Sequence, residues 1–428
     1  MSAHDLTVKL FLQLAVILAA CRVCGWLGRR FFGQTQVVSE MVAGLLLGPS
    51  LFGLLAPEAQ AWLFPKTLPA GGPHPSMLIL YALSQVGLVL YMFIIGLEFN
   101  HRLIVGRVRH ASLVSGAGIV VPLALGAVAA LTLRGDADLF APHVTPGAGA
   151  LYLGAAMSIT AFPTLARILQ EKGIVRTHLG TLALTAGSSG DAAAWCLLAL
   201  VLSNLAGSWL IAILAIGGGG LYVAVMLLLG RPLLRVLDRG VDGQGRIAPG
   251  TLVAGLLVLM LAAFVTDTVG IYAVFGAFIA GVAMPRGRFA DAAIGQVAPL
   301  TTTLLVPVFF VYSGLNTQIG LLDSPAIWRV AVILVSVAIV GKGVACLLAA
   351  RIAGEAWRES VTIGVLMNAR GLMELIILNI GLERGVITPT LFTIMVLMAV
   401  VTTLMTSPLF ELVYGRRAAA VTAHGRAA

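Results

Sequence analysis

Apolar runs of about 20 residues, the length that crosses a bilayer core as a helix, recur along the whole chain with short polar stretches between them. Read by that length, the pattern predicts an all-α polytopic membrane protein with about thirteen transmembrane helices. They fall at residues 6–27, 38–54, 77–99, 111–133, 149–169, 179–203, 209–229, 251–265, 269–284, 300–315, 327–350, 359–381 and 389–414. Several of these runs are short or interrupted by Gly and Pro.

Composition agrees: 59% of residues are hydrophobic and 11% charged, against about a quarter charged in soluble domains. The net charge of +9 raises the question of a nucleic-acid partner, and its distribution answers it. Arg29, Arg30, Arg102, Arg107, Arg109, Arg167, Lys172, Arg176, Arg231, Arg235, Arg239, Arg246, Arg286, Arg288, Arg351, Arg358, Arg416, Arg417 and Arg426 lie in alternate loops or the C-terminal tail. The intervening loops hold Lys66, Arg134, Arg329 and Arg384. This is the positive-inside bias, which predicts an external N-terminus and a cytoplasmic C-terminus. The basic balance reports topology, so no nucleic acid is expected. The expected location is a bacterial inner or plasma membrane. The first run lacks a cationic leader and exceeds a signal-peptide core, so it reads as a retained helix. Cys21 and Cys24 spell CxxC, but without a second ligand pair they read as packing residues. The seven histidines fall in loops or at span ends, and no cofactor or resident metal site is expected.

Two stretches of the chain resemble each other. Ala43–Pro49 is echoed by Gly276–Pro285, the segment 88–99 by 305–317, and 154–160 by 364–370. The paired spans are the second and ninth, third and tenth, and fifth and twelfth. Each pair lies seven spans apart, so the copies enter the membrane in opposite directions. That is an inverted-topology repeat, a construction of secondary transporters whose site lies between the repeats at the midplane.

Polar residues at depth mark candidate chemistry. Asp191 lies in the sixth span within Thr185-Ala-Gly-Ser-Ser-Gly-Asp, and an acid there is a functional-site hypothesis by default. Lys342 is equally deep in the eleventh span. The chain has 23 Arg but four Lys, and Lys can release its proton at depth where Arg cannot. Lys342 is therefore a candidate for proton coupling or for a counter-ion to Asp191, the alternative being a lysine that snorkels to the interface. In the fifth span Pro163 interrupts the backbone beside the hydroxyls of Ser158 and Thr160, either as a simple kink or as a broken helix lining a cavity. The matching place in the twelfth span, Asn368-Ala-Arg370-Gly-Leu-Met-Glu374, carries Arg370 and Glu374 four residues apart and able to pair. Two broken crossing helices are thus expected, with Pro163, Asn368, Arg370 and Glu374 supporting the crossover, the alternative for Arg370 and Glu374 being a salt bridge at the cytoplasmic end of the span.

The segments Ser39–Ser50, Phe93–Glu98, Ala156–Pro163, Gly190-Asp191, Gly341-Lys342 and Met367–Leu375 together resemble the monovalent cation:proton antiporters, in the branch of plant cation/proton exchangers and bacterial Kef- and Nap-type proteins. The resemblance implies a homodimer in the bilayer that exchanges Na+ or K+ for protons by an elevator motion. It implies dimerisation scaffolds at 1–110 and 249–325, core helices at 111–206 and 326–415, a linker helix at 207–248 and a tail at 416–428. By position it implies that Asp191 binds cation or proton, that Thr160 is the crossover hydroxyl and that Lys342 is the core lysine; Ser158 and Ser189 complete the candidate ion ligands. This chain departs from the pattern at Gly190, where the family usually has Asp, Asn or Gln. Kef-type relatives also carry a nucleotide-binding domain after the spans, for which no glycine fingerprint follows here. Gly217–Gly220 lie inside an apolar span, where close packing is the expected use.

Two alternatives stay open. Gly190 with Ser188 and Ser189 leaves volume beside Asp191, which would suit a carrier of a small organic solute. A membrane-embedded enzyme using Asp191 and Lys342 as acid and base is the other, weakened by the lack of a nucleophile motif or cofactor fingerprint.

Overall fold

The computed structural model describes residues 3–67, 72, 74–99, 108–135, 138–174, 177–205, 209–269 and 272–425. Some side chains inside helices lie outside the described set, among them those of Pro163, Ser188 and Asp191, and so do Arg102, Arg107, Arg176 and Arg426 of the topology signal. The described residues form helices without strands. Nine helices among them are long and apolar enough to span a membrane. Others are shorter for a physical reason. The fifth and twelfth predicted spans are each divided into two half-helices, and the ninth is the 11-residue helix Ala273–Ala283.

The chain divides into two compact units. The first contains Met1–Ala19, Ala61–Asn100 and Leu202–Tyr312; the second contains Ala20–Gln60, His101–Val201 and Ser313–Ala428. In the first unit the Ala273–Ala283 helix packs between Pro75–Glu98 and Pro249–Thr268 through backbone contact. A Cβ added at Gly96 would lie 2.2 Å from the Phe278 carbonyl, and one at Gly276 would lie 2.4 Å from that of Ala262. Small residues let membrane helices approach to this distance, where dispersion contacts replace the missing hydrophobic drive.

In the second unit the same device joins the Gln36–Leu47 helix to the segment around Gly314. A Cβ at Gly314 would lie 2.1 Å from the carbonyl carbon of Gly44. Gly314→Ala is therefore expected to force the two backbones apart, at an overpacking cost of about 1–3 kcal/mol, seen as a lower melting temperature in detergent. Gly217→Ala is the matched control, since a Cβ there meets nothing within 4 Å. The glycine run is divided in this respect. Gly217 and Gly220 face open space among the described residues, while Gly219 between them is buried.

The cysteines are free, with Cys21 and Cys346 buried.

Candidate functional site

The site is built inside the second unit, where two interrupted helices meet. The first half-helix, Pro146–Ser158, starts with a Thr145 cap whose hydroxyl accepts from the Ala148 amide at 3.2 Å, and Pro146 occupies its first turn. It ends in extended backbone at Ile159, and a second half-helix runs from Phe162 to Glu171. Pro163 falls in the first turn of that second half, where its missing N–H costs nothing. The other interruption lies between Trp357–Met367 and Leu372–Glu383. The two breaks touch, with the Ala161 amide donating to the Ala369 carbonyl at 3.4 Å. Gly371 is required there, since a Cβ would lie 2.6 Å from Thr164 Oγ1.

A broken helix exposes polar backbone that lipid cannot solvate. The last four carbonyls of any helix lack intrahelical partners, and here all four are taken by side chains. Ser158 Oγ donates to Ala155 O at 2.8 Å. Arg370 Nη1 and Nη2 donate to Ala156 O at 3.5 Å and Met157 O at 2.9 Å. Lys342 Nζ donates to Ser158 O. The two cations thus sit at the negative end of the helix dipole, where positive charge is favoured. Arg370 also pairs with Glu374, Nη1 to Oε1 at 3.2 Å, both groups being essentially inaccessible to solvent. Glu374 in turn lies in the first turn of its own half-helix, where a negative charge is stabilised.

Lys342 is fully buried, on a π-helical segment at Ile339–Val344 that joins Pro325–Ala338 to Ala345–Ile352. Such one-turn widenings recur at functional sites because they re-aim side chains. The carboxamide carbon of Asn368 lies 3.9 Å from where a Gly343 Cβ would stand, which places Asn368 beside the lysine turn. Asn368 Oδ1 and Glu374 Oε2 are buried acceptors without a hydrogen-bond donor among the described residues.

The sixth-span helix, His178–Leu205, carries Asp191; its carboxylate lies outside the described side chains. The preceding residue is placed. A Cβ at Gly190 would lie 3.5 Å from Thr160 Oγ1, so this turn abuts the first break. Thr160 and Ser158 are buried. Ser189 is on an exposed face, its hydroxyl donating back to Thr185 O at 3.0 Å and Ala186 O at 3.1 Å. Lys342, Ser158, Thr160, Gly190, Arg370, Glu374 and Asn368 thus converge on one crossing, while Ser189 turns away from it.

Two contributors were not singled out from the sequence. The Thr403 hydroxyl accepts from the Arg370 amide at 3.0 Å and lies 2.9 Å from the Arg370 carbonyl, holding the break from the last helix. Tyr152 donates to Ile377 O at 2.9 Å and fits against Gly381, joining one half-helix to the other pair. A polar residue every few positions in the last span was the available signal for Thr403; Tyr152 had none.

The chain matches the model of the sodium/hydrogen exchanger transmembrane family over residues 16–412. It is 38% identical over 415 residues to the Na(+)/H(+) antiporter NhaS4 of Synechocystis sp., covering 94% of this chain and 96% of that protein. It is 35% identical over 406 residues to Cation/H(+) antiporter 18 of Arabidopsis thaliana, covering 94% of this chain and 48% of the plant protein, so it spans about half of that relative. The solved structure of the sodium proton antiporter MjNhaP1 from Methanocaldococcus jannaschii has a TM-score of 0.61 at 15% identity, covering 96% of this chain and 98% of the other, a likeness of fold. On this evidence the chain belongs to the sodium/hydrogen exchanger family of transmembrane proteins.

Proposed function

We propose that this integral membrane protein is a secondary active antiporter exchanging Na+ or K+ for protons, with Asp191 as the carboxylate that cation and proton occupy in turn. The observation that carries the reading is the crossing itself. The carbonyls at the end of one half-helix, Pro146–Ser158, hold Lys342 and Arg370, and Gly190, the residue before Asp191, lies against Thr160 at the same crossing. Irregular backbone at membrane depth persists where it lines a transport site. Relatives named as antiporters set the membrane-enzyme alternative aside.

The finer parts of the proposal follow the same line. Asp191, Thr160 and Ser158 contribute ion ligands, whereas Ser189, whose hydroxyl is bonded back to its own helix, does not; Lys342 is the counter-ion or second proton carrier; Pro163, Asn368, Arg370 and Glu374 maintain the crossover. The segments 111–206 and 326–415 move as an elevator core against a homodimeric scaffold, within inverted repeats of thirteen spans and with the C-terminus cytoplasmic. The grouping of 101–201 with 313–428 in one compact unit supports the core assignment. The second span falls in that unit as well.

The test is proton flux in proteoliposomes under an imposed pH gradient, scanning sodium, potassium and lithium. Proton release on adding one of these cations is expected; release with an organic solute and none with cations would overturn the reading in favour of a solute carrier. Lys342→Gln tests the lysine within the same assay. It removes the donor to the Ser158 carbonyl, a loss of about 1–3 kcal/mol for a buried unsatisfied group, so a lower melting temperature is expected. Positive charge favours the ionised form of an acid facing it, so the pH profile of exchange should move to the alkaline side. An unchanged profile with unchanged stability would remove Lys342 from the mechanism.

A further inference from the structure

Away from the crossing, the fold gathers histidines and carboxylates that stand far apart in sequence. His178 opens the helix that carries Asp191, thirteen residues before it and so about 20 Å along the axis. Glu355 lies in the turn before Trp357–Met367, and Glu359 is in the first turn of that helix. Ligand atoms of His178, Glu355 and Glu359 all lie within 4.8 Å of one another. His178 Nε2 is 2.8 Å from Glu355 Oε2, and His110 Nδ1, from the Val108–Thr132 helix, is 3.3 Å from Glu355 Oε1.

Three features separate this group from an ordinary surface ion pair. Glu355 is buried at 5% exposure, and its backbone is fixed. Its carbonyl accepts from Arg351 Nη1 at 2.9 Å and from Ser360 Oγ at 3.4 Å, and its amide donates to Ala350 O at 3.1 Å. The Arg351 guanidinium is itself held over the Trp357 ring, 5.2 Å from the centroid. The histidines, by contrast, are 42% and 39% exposed at the side chain, which gives an ion a way in. Finally, His110 occupies the carboxylate oxygen that His178 does not, the arrangement in which an outer partner orients a metal-ligating carboxylate.

We propose that His178, Glu355 and Glu359 form a binding site for a divalent transition cation of the zinc class, with His110 as the residue that orients Glu355. One imidazole and two carboxylates with room for water are a zinc-type donor set. In tetrahedral coordination with ligand bonds of about 2.0–2.1 Å, donors stand roughly 3.3 Å apart, so His178 and Glu355 need to separate by only about half an ångström. Bound metal would join the start of the Asp191 helix to the connection between the Lys342 helix and the second broken helix. This site is separate from the transported cation's, and it does not depend on which ion is exchanged.

The test uses the full chain in detergent. Zinc chloride is expected to raise the melting temperature along a saturable curve, and Co2+ is expected to give the intense visible absorption of a four-coordinate site. His178→Gln and Glu359→Gln, at partly exposed positions, should each weaken zinc at least about tenfold, and His110→Gln about 10–100-fold. His4→Gln should leave binding unchanged. The proposal is overturned if the unmodified protein shows neither a saturable zinc shift nor a cobalt band. It is equally overturned if the His178 and Glu359 variants bind as the unmodified protein does.

Discussion

Asp191→Asn is expected to reduce cation-driven proton flux to the level of empty liposomes while the protein stays folded. Keeping a carboxylate at bilayer depth costs about 2.5–3.5 kcal/mol on insertion scales, a cost that an amide avoids. The Asn side chain still accepts hydrogen bonds but neither takes up nor releases a proton, so the alternation of cation and proton at one group is lost. Stability should hold or rise, and exchange should vanish. Flux in the variant at the rate of the unmodified protein would place the coupling carboxylate elsewhere.

The second large effect is on stability. Arg370→Met removes the donors to Ala156 and Met157 and leaves Glu374 buried with neither oxygen paired among the described residues. Removing one partner of a buried ion pair costs about 3–5 kcal/mol, whereas replacing both by apolar groups is often neutral. Arg370→Met should therefore depress the melting temperature sharply, and Arg370→Met with Glu374→Leu should recover part of the loss. The recovery will be incomplete, because the carbonyls of Ala156 and Met157 remain without their guanidinium. An Arg370→Met variant that melts like the unmodified protein would mean the break is held by other contacts.

Much of this architecture is legible in one dimension because it is written at short range. Apolar run length gives the long spans. Pro163 and Gly371 mark the interruptions, and the four-residue spacing of Arg370 and Glu374 gives their ion pair, which is found at 3.2 Å. What could not be read is set by partners far along the chain. Nothing near Arg370 announces that its guanidinium reaches carbonyls more than 200 residues earlier. The π-helical turn under Lys342 has no local residue signature, since it depends on how the flanking turns pack. His110 and His178 read as residues of loops or span ends and form a cluster with Glu355 only when three connections converge. The glycine run at 217–220 shows the same limit: spacing alone does not tell that Gly219 is buried while Gly217 and Gly220 face open space among the described residues.

The clamp on the end of Pro146–Ser158 also bears on how the chain enters the membrane. As it leaves the ribosome, the segment with Arg370 and Glu374 carries two charges, each disfavouring insertion by about 2.5–3.5 kcal/mol at mid-bilayer. Its acceptors, the carbonyls of Ala156 and Met157, belong to a segment synthesised more than 200 residues earlier. The order of synthesis therefore delivers the docking site before the helix that needs it. Partition of the twelfth span into lipid becomes a docking event on a preformed helix end, and moving that span ahead of residue 146 in a permuted chain would deprive it of its partner at the moment of insertion.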